Sequence, residues 1–81
     1  MRVLEWTNED LRVGDLLVCT RNNAFCKRDT VVCILAVDKE ILFRYKVEYS
    51  NSEGTRRSGV MHKQSNFKPI EMKYSRVGER L

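Results

Sequence analysis

The sequence predicts an all-β fold, in which about five short strands form one small antiparallel sheet that curls on itself. Three observations predict this class. Apolar and polar side chains alternate along residues 41–49. Residues 30–37 are mostly apolar and rich in β-branched side chains at odd-numbered and even-numbered positions alike. Residues 50–54 carry a strong turn signal. Little of the chain has the period of a helix, so a mainly helical fold is excluded.

The length and composition predict a single domain. The chain has 81 residues, of which 42% are apolar and 32% are charged. It is too short for two ordinary domains and too apolar for a disordered segment, so residues 1–72 are assigned to one domain and residues 73–81 to a flexible C-terminal tail. A domain of this size has a thin core and leaves little room for a large cofactor cleft.

The chain shows no targeting signal. No run approaches the ~20 apolar residues that cross a bilayer, and the first residues lack the apolar core of a secretory signal. The odd number of cysteines does not fit a closed disulfide framework. We therefore expect a cytoplasmic protein that makes no membrane contact.

Local patterns place the elements in chain order. Residues 7–11 have the capping and acidic residues of a single helical turn. A tight polar connection at residues 38–40 is typical of a hairpin. Pro69 restricts the last strand to an edge of the sheet, because proline has no N–H for the ladder. The predicted strands are residues 16–20, 30–37, 41–49, 55–62 and 67–72.

The alternation in the third predicted strand assigns its two faces, because successive side chains of a strand point to opposite sides. The odd-numbered side chains are predicted to face the core; they are Ile41, Phe43, Tyr45, Val47 and Tyr49. The even-numbered ones are predicted to face water; they are Leu42, Arg44, Lys46 and Glu48. In the following strand, Gly59 marks a bulge or a close approach of another backbone.

Two short segments carry a resemblance to a known architecture. The sequence LRVGDL at residues 11–16 precedes the first strand, and SNFKPI at residues 65–70 leads into the last one. Over residues 11–72 the layout resembles an SH3-like small β-barrel of the Tudor and ribosomal-protein kind. The resemblance implies a closed barrel that binds nucleic acid or modified peptides. The paired acidic and aromatic residues of SH3 domains that bind proline-rich ligands are not recognisable here, which disfavours such ligands.

The charge distribution suggests an anionic partner. The net charge is +4, and residues 56–81 contain seven of the fifteen basic residues but only two of the eleven acids. The leading hypothesis is a non-enzymatic module that engages nucleic acid or a ribonucleoprotein, although the same charges also fit a solvated face. The residues of this predicted basic strip are Arg44, Lys46, Arg56, Arg57, Lys63 and Lys68.

Apolar side chains suggest an alternative surface. Val32 and Ile34 occupy one face of the second predicted strand, and Leu42 interrupts the polar face of the third. If they are exposed, they form a protein interface for a single partner or a homodimer. The protein is then a small accessory factor, such as a phage-type modulator or inhibitor that docks on a host protein. If the N-terminal segment or the tail covers them, the patch is only core.

Candidate catalytic and metal-binding residues are few. Cys19, Cys26 and Cys33 lack the close pairing of a zinc site, and His62 is the only histidine. Cys26 lies in a polar loop beside Lys27 and Arg28, which lower the pKa of the thiol if they are close in space; the alternative is an ordinary exposed cysteine. The sequence contains no glycine-rich phosphate loop. We therefore expect no enzymatic activity, no cofactor and no bound metal.

Overall fold

The computed structural model describes residues 2–23, 26–64 and 66–71, which form six strands and no helix. All the strand pairings are antiparallel, and one sheet has the order β1-β6-β2-β3-β4-β5. This confirms the predicted all-β class. The strands are β1 (Arg2–Val3), β2 (Leu16–Cys19), β3 (Val31–Ile41), β4 (Arg44–Asn51), β5 (Arg56–His62) and β6 (Phe67–Glu71).

The sheet is not closed within the described residues, since β1 and β5 are its two outermost strands and no pairing joins them. A closed SH3-like barrel therefore remains a prediction. Residue 72 of the last predicted strand and the predicted tail at residues 73–81 lie outside the described residues. No helix in the described part of the chain is long and apolar enough to cross a membrane.

The predicted edge position of the last strand is wrong, because β6 lies between β1 and β2. The carbonyl of Pro69 accepts a hydrogen bond from the N–H of Leu4 at 2.8 Å. The nitrogen of a strand residue points to the same side as its carbonyl, so the missing N–H of Pro69 faces the first strand rather than β2. Since β1 ends at Val3, proline removes no hydrogen bond from the longer β2–β6 ladder.

The turn between β3 and β4 lies later in the chain than predicted. The sequence placed it at residues 38–40, but β3 continues to Ile41 and the turn consists of Leu42 and Phe43. Phe43 has a φ of 65°, in the left-handed region that bulky residues rarely adopt. Residues 38–41 are polar or exposed because the hairpin extends beyond the core.

The core lies on one face of β4, as the alternation predicted. Tyr45, Val47 and Tyr49 are buried, together with side chains from β2, β3, β5 and β6. The predicted core position of Ile41 is wrong, because it lies at the exposed end of the hairpin. Phe43 lies in the turn and is only half-buried.

The N-terminal segment crosses the sheet without forming the predicted helical turn. The hydroxyl of Thr7 accepts a hydrogen bond from the N–H of Glu9, which makes a local bend instead. The indole N–H of Trp6 donates to the carbonyl of Phe67 at 3.1 Å, and the Trp6 ring packs against the core. Leu11 is buried in that core. The segment therefore adds apolar area to the thin core of a small domain.

Candidate nucleic-acid interface

Three residues of the predicted basic strip lie on the outer face of the β3–β4–β5 part of the sheet. Arg44 and Lys46 alternate with the buried Tyr45 and Val47, so they point away from the core. Arg56 is paired with Ser50, which is on the same face of β4 as Lys46. The structure thus brings Arg44, Lys46 and Arg56 to one surface, and we call these three residues the outer cations.

Carboxylates accompany the outer cations. Glu40 Oε1 lies 3.1 Å from Arg44 Nε, and Glu40 Oε2 lies 3.7 Å from Lys46 Nζ. Glu48 Oε1 lies 3.8 Å from the guanidinium of Arg56. Exposed ion pairs of this kind contribute little to stability, so an incoming phosphate could compete with the carboxylates. The outer face alone is nevertheless close to electrically balanced.

Lys63 does not belong to an exposed strip, and this prediction is wrong for a simple reason: its side chain is only 2% exposed. Its ammonium donates to the carbonyl oxygens of Thr7 and Glu9. Lys68 remains accessible but is paired with Glu5, whose Oε1 lies 3.2 Å from Lys68 Nζ. Neither lysine extends the outer surface of β4 and β5.

Arg57 points to the face opposite Arg56. It is paired with Tyr49, a core-facing residue of β4. The positive charge of its guanidinium tends to lower the pKa of the Cys26 thiol in the β2–β3 loop. The backbone of Arg21 reaches the same place, since its carbonyl accepts a hydrogen bond from Cys19 Sγ at 2.8 Å. Lys27 follows Cys26 directly. We call Arg21, Lys27 and Arg57 the loop cations.

The loop cations differ from the outer cations in forming no ion pair among the described residues, although Lys27 lines a cavity together with Asp29 and Glu53. Within residues 2–23, 26–64 and 66–71, no Asp or Glu lies within ion-pair distance of Arg21, Lys27 or Arg57. Sequence reasoning missed Arg21 and Lys27, because they lie in the loop after the first predicted strand, whereas the predicted strip runs from Arg44 to Lys68. The fold brings Cys26 of the β2–β3 loop, which directly precedes Lys27, close enough to β5 for the charge of Arg57 to affect its thiol.

Cys26 is not activated by its basic neighbours. Burial, followed by the neighbouring Cys19 thiol, raises the pKa of Cys26 to about 11, against a smaller lowering by Arg57. The lowering of this pKa that would follow if Lys27 and Arg28 lay close to the thiol is therefore wrong in its net direction. Cys26 does lie in the β2–β3 loop, but its side chain is partly buried against the core.

The structure does not bring Cys26 and His62 together as a thiol–imidazole pair for catalysis. His62 is paired with Arg44 and shares its outer face, whereas Cys26 packs against the core on the other side of the sheet. In the described part of the chain, no group of three His, Cys, Asp or Glu side chains has the arrangement of a metal site.

The predicted apolar interface is only partly exposed. Val32 and Ile34 are fully buried, because their strand packs its even-numbered side chains into the core. Leu42 is 67% exposed at the β3–β4 turn, next to Ile41, which is 60% exposed. The surface that remains is the apolar tip of a hairpin, not a patch on the sheet.

Comparisons with known protein families, with curated proteins and with solved structures gave no match to this chain.

Proposed function

We propose that this protein is a non-enzymatic cytoplasmic module that binds single-stranded nucleic acid, RNA or DNA, through its phosphates. The observation that supports this most directly is the group of loop cations, which form no ion pair in the described part of the chain. Free cations spaced along a surface are what a phosphate backbone requires, because binding releases its condensed counterions.

The two groups of cations meet at β5. Arg56 and Arg57 are consecutive in this strand, and therefore their side chains point to opposite faces of the sheet. Since β5 is an outermost strand of the described sheet, a strand of nucleic acid that passes along it contacts both guanidinium groups. Arg44 and Lys46 then continue the path along the outer face, and Arg21 and Lys27 continue it along the β2–β3 loop.

A salt titration tests this proposal. The affinity for a fluorescein-labelled 12-nucleotide single strand is measured by anisotropy at several KCl concentrations. We expect the affinity to fall steeply with salt, and Arg57→Ala to reduce the slope of log Kd against log salt by about one. Arg12→Ala is the matched control, since Arg12 is an exposed cation outside both groups. No binding at low salt, or binding that salt leaves unchanged, would exclude phosphate contacts.

A second candidate function rests on the hairpin tip. Ile41 and Leu42 are adjacent, large and exposed, which is typical of an anchor for a protein partner. A partner protein retained after nuclease treatment, and lost in the double variant Ile41→Ser with Leu42→Ser, would favour this function over nucleic-acid binding. Retention of the partner by the double variant would exclude the tip as the interface.

A further inference from the structure

Gly59 has no structural requirement to be glycine. A glycine inside a strand weakens it, and it usually marks a bulge, a bend, or the close approach of a backbone or a ligand. The register of β4 with β5 runs without interruption past Gly59, and its φ is not in the left-handed region. A Cβ atom built at this position meets nothing within 4 Å. The bulge or close backbone approach predicted from the sequence is therefore wrong for the described residues.

A cavity of about 180 Å³ lies beside Gly59. The cavity lies between β5, the start of β6 and the β2–β3 loop, on the core-facing side of the sheet. This volume is below the ~300–1,000 Å³ typical of sites for drug-sized ligands, so it suits a single ring system. Its lining residues are Asn23, Val47, Tyr49, Gly59, Val60, Met61, His62, Asn66 and Phe67.

The cavity combines aromatic walls with unpaired polar groups. The rings of Tyr49 and Phe67 meet edge to face, with their centroids 5.9 Å apart. Tyr49 is 95% buried (5% exposed), yet its hydroxyl makes no hydrogen bond with another described residue. The side-chain amide of Asn66 likewise has no partner within the described ranges. Neither polar group is a buried unsatisfied atom, since Arg44 Nε is the one such atom among the described residues, so both groups are accessible to a ligand with donors and acceptors at its edge.

Arg57 does not line the cavity, but it belongs to β5, the strand that borders it. Arg57 is on the same face of β5 as Gly59, two residues away, and it is directly opposite Tyr49 in the ladder. An anionic group attached to a ligand in the cavity would therefore meet the Arg57 guanidinium. A flat ring with a polar edge and an adjacent negative charge is the chemistry of one nucleotide.

We propose that the Gly59 cavity holds one unstacked base of a single-stranded nucleic acid, with the phosphate of that nucleotide on Arg57. This inference depends on the proposed function and deepens it. The Asn66 amide and the Tyr49 hydroxyl face the edge of the base, while the aromatic walls contact its apolar surface. Gly59 keeps the entrance open because any side chain at this position would extend into the free space beside it.

The test compares two single strands of equal length, one of ordinary nucleotides and one of abasic nucleotides that keeps every phosphate. We expect the ordinary strand to bind about tenfold more tightly, because contacts of a base with aromatic side chains are worth about 1–3 kcal/mol. Gly59→Val fills the cavity, and it should abolish this difference while leaving salt-dependent binding of the abasic strand. Ser58→Val makes the same β-branched addition on the outer face and is the matched control.

The outcomes separate the two proposals. Equal, salt-dependent binding of both strands by the unmodified protein overturns the base site and leaves phosphate binding intact, whereas no binding of either strand overturns both. Circular dichroism and thermal unfolding establish that Gly59→Val is folded. If it is not, Asn66→Ala provides the second variant, with the same expected loss of discrimination. In the unmodified protein, the NMR resonance of the Asn66 side-chain amide should shift when the ordinary strand is added. The site would also be rejected if this resonance does not change and if Asn66→Ala still binds the ordinary strand more tightly than the abasic one.

Discussion

The ammonium group of Lys63 lies 5.9 Å from the centre of the Trp6 ring, so a residue just after β5 holds the N-terminal segment against the sheet. The Phe43 ring lies on another side of the ammonium, with its centre 5.6 Å away. The carbonyl oxygens of Thr7 and Glu9 accept its protons. A buried cation is stable only when its donors are satisfied, and here carbonyl groups and aromatic faces do so.

Replacing this cation should destabilise the protein strongly. We expect Lys63→Met to lower the free energy of unfolding by about 2–4 kcal/mol, because two carbonyls lose a charged donor and the segment at Trp6 loses its attachment. Urea unfolding followed by the fluorescence of Trp6, the one tryptophan of the chain, measures this change. Lys46→Met is the control, with an expected change within about 0.5 kcal/mol. Equal stabilities of the two variants would contradict the role assigned to Lys63.

Asp10 should make the stability depend on acid pH. Lys39 Nζ lies 3.1 Å from Asp10 Oδ1, and the Tyr45 hydroxyl donates to the same oxygen at 3.0 Å. Hydrogen bonds from Lys39 and then from Tyr45 hold the pKa of Asp10 below its usual 3.8 in the folded protein. The stabilisation is therefore fully present above the unfolded pKa and is lost as pH falls through the lower, folded pKa.

Melting temperatures over the acid range test this linkage. We expect Tm to fall with decreasing pH less steeply in Asp10→Asn than in the unmodified protein, because the variant has no carboxylate to protonate. Asp38→Asn is the control, since Asp38 is an exposed carboxylate without an ion pair among the described residues. An Asp10→Asn profile with the same slope as the unmodified protein would rule out the effect.

Cys26 should react slowly with alkylating agents. With its pKa raised to about 11 by burial and by the Cys19 thiol, the folded protein holds roughly a hundredfold less thiolate at pH 8 than an ordinary cysteine. We expect iodoacetamide to label Cys26 at least tenfold faster in urea than in buffer, as measured by peptide mass spectrometry. Since the folded pKa exceeds the unfolded one, this thiol also reduces stability as pH rises from about 9 to about 11. Equal labelling rates in both conditions would show that Cys26 is not protected.

Two glycines of the β4–β5 hairpin should respond differently to the same substitution. Gly54 has a φ of 86° in a turn where the Asn51 side chain accepts hydrogen bonds from the N–H groups of Glu53 and Thr55. We expect Gly54→Ala to lower stability by about 1 kcal/mol, because alanine is strained in that region. Gly59→Ala should be neutral or stabilise by up to about 1 kcal/mol, since it meets free space and restricts the unfolded chain. A larger loss at Gly59 than at Gly54, measured by thermal unfolding, would contradict this order.

The fold was predictable where periodicity and burial coincide. Tyr45, Val47 and Tyr49 alternate with charged residues, and these three define the buried face of β4. The position of the turn was not predictable, because polarity in residues 38–40 reflects exposure beyond the core and not the end of a strand. The left-handed conformation of Phe43 has no counterpart in local sequence preferences.

The candidate site was less predictable than the fold. Charge counting assigned Arg44, Lys46 and Arg56 to a basic strip, but it also included Lys63 and could not show that this residue is buried by the N-terminal segment. It also could not place Arg57 on the face opposite Arg56 without the register of β5. The burial of a side chain and the face of the sheet on which it lies depend on contacts between residues that are distant in the chain. A single sequence does not contain these contacts.

The pairing of Arg2 with Glu71 places the start of β1 beside the end of β6. A short linker could therefore join these positions, and new chain ends could be opened at Ser52 and Glu53, in the exposed turn after β4. Such a circular permutant would keep all the strand pairings of the sheet. It would place a fluorescent fusion partner close to Arg56 and Arg57 and away from the N-terminal segment.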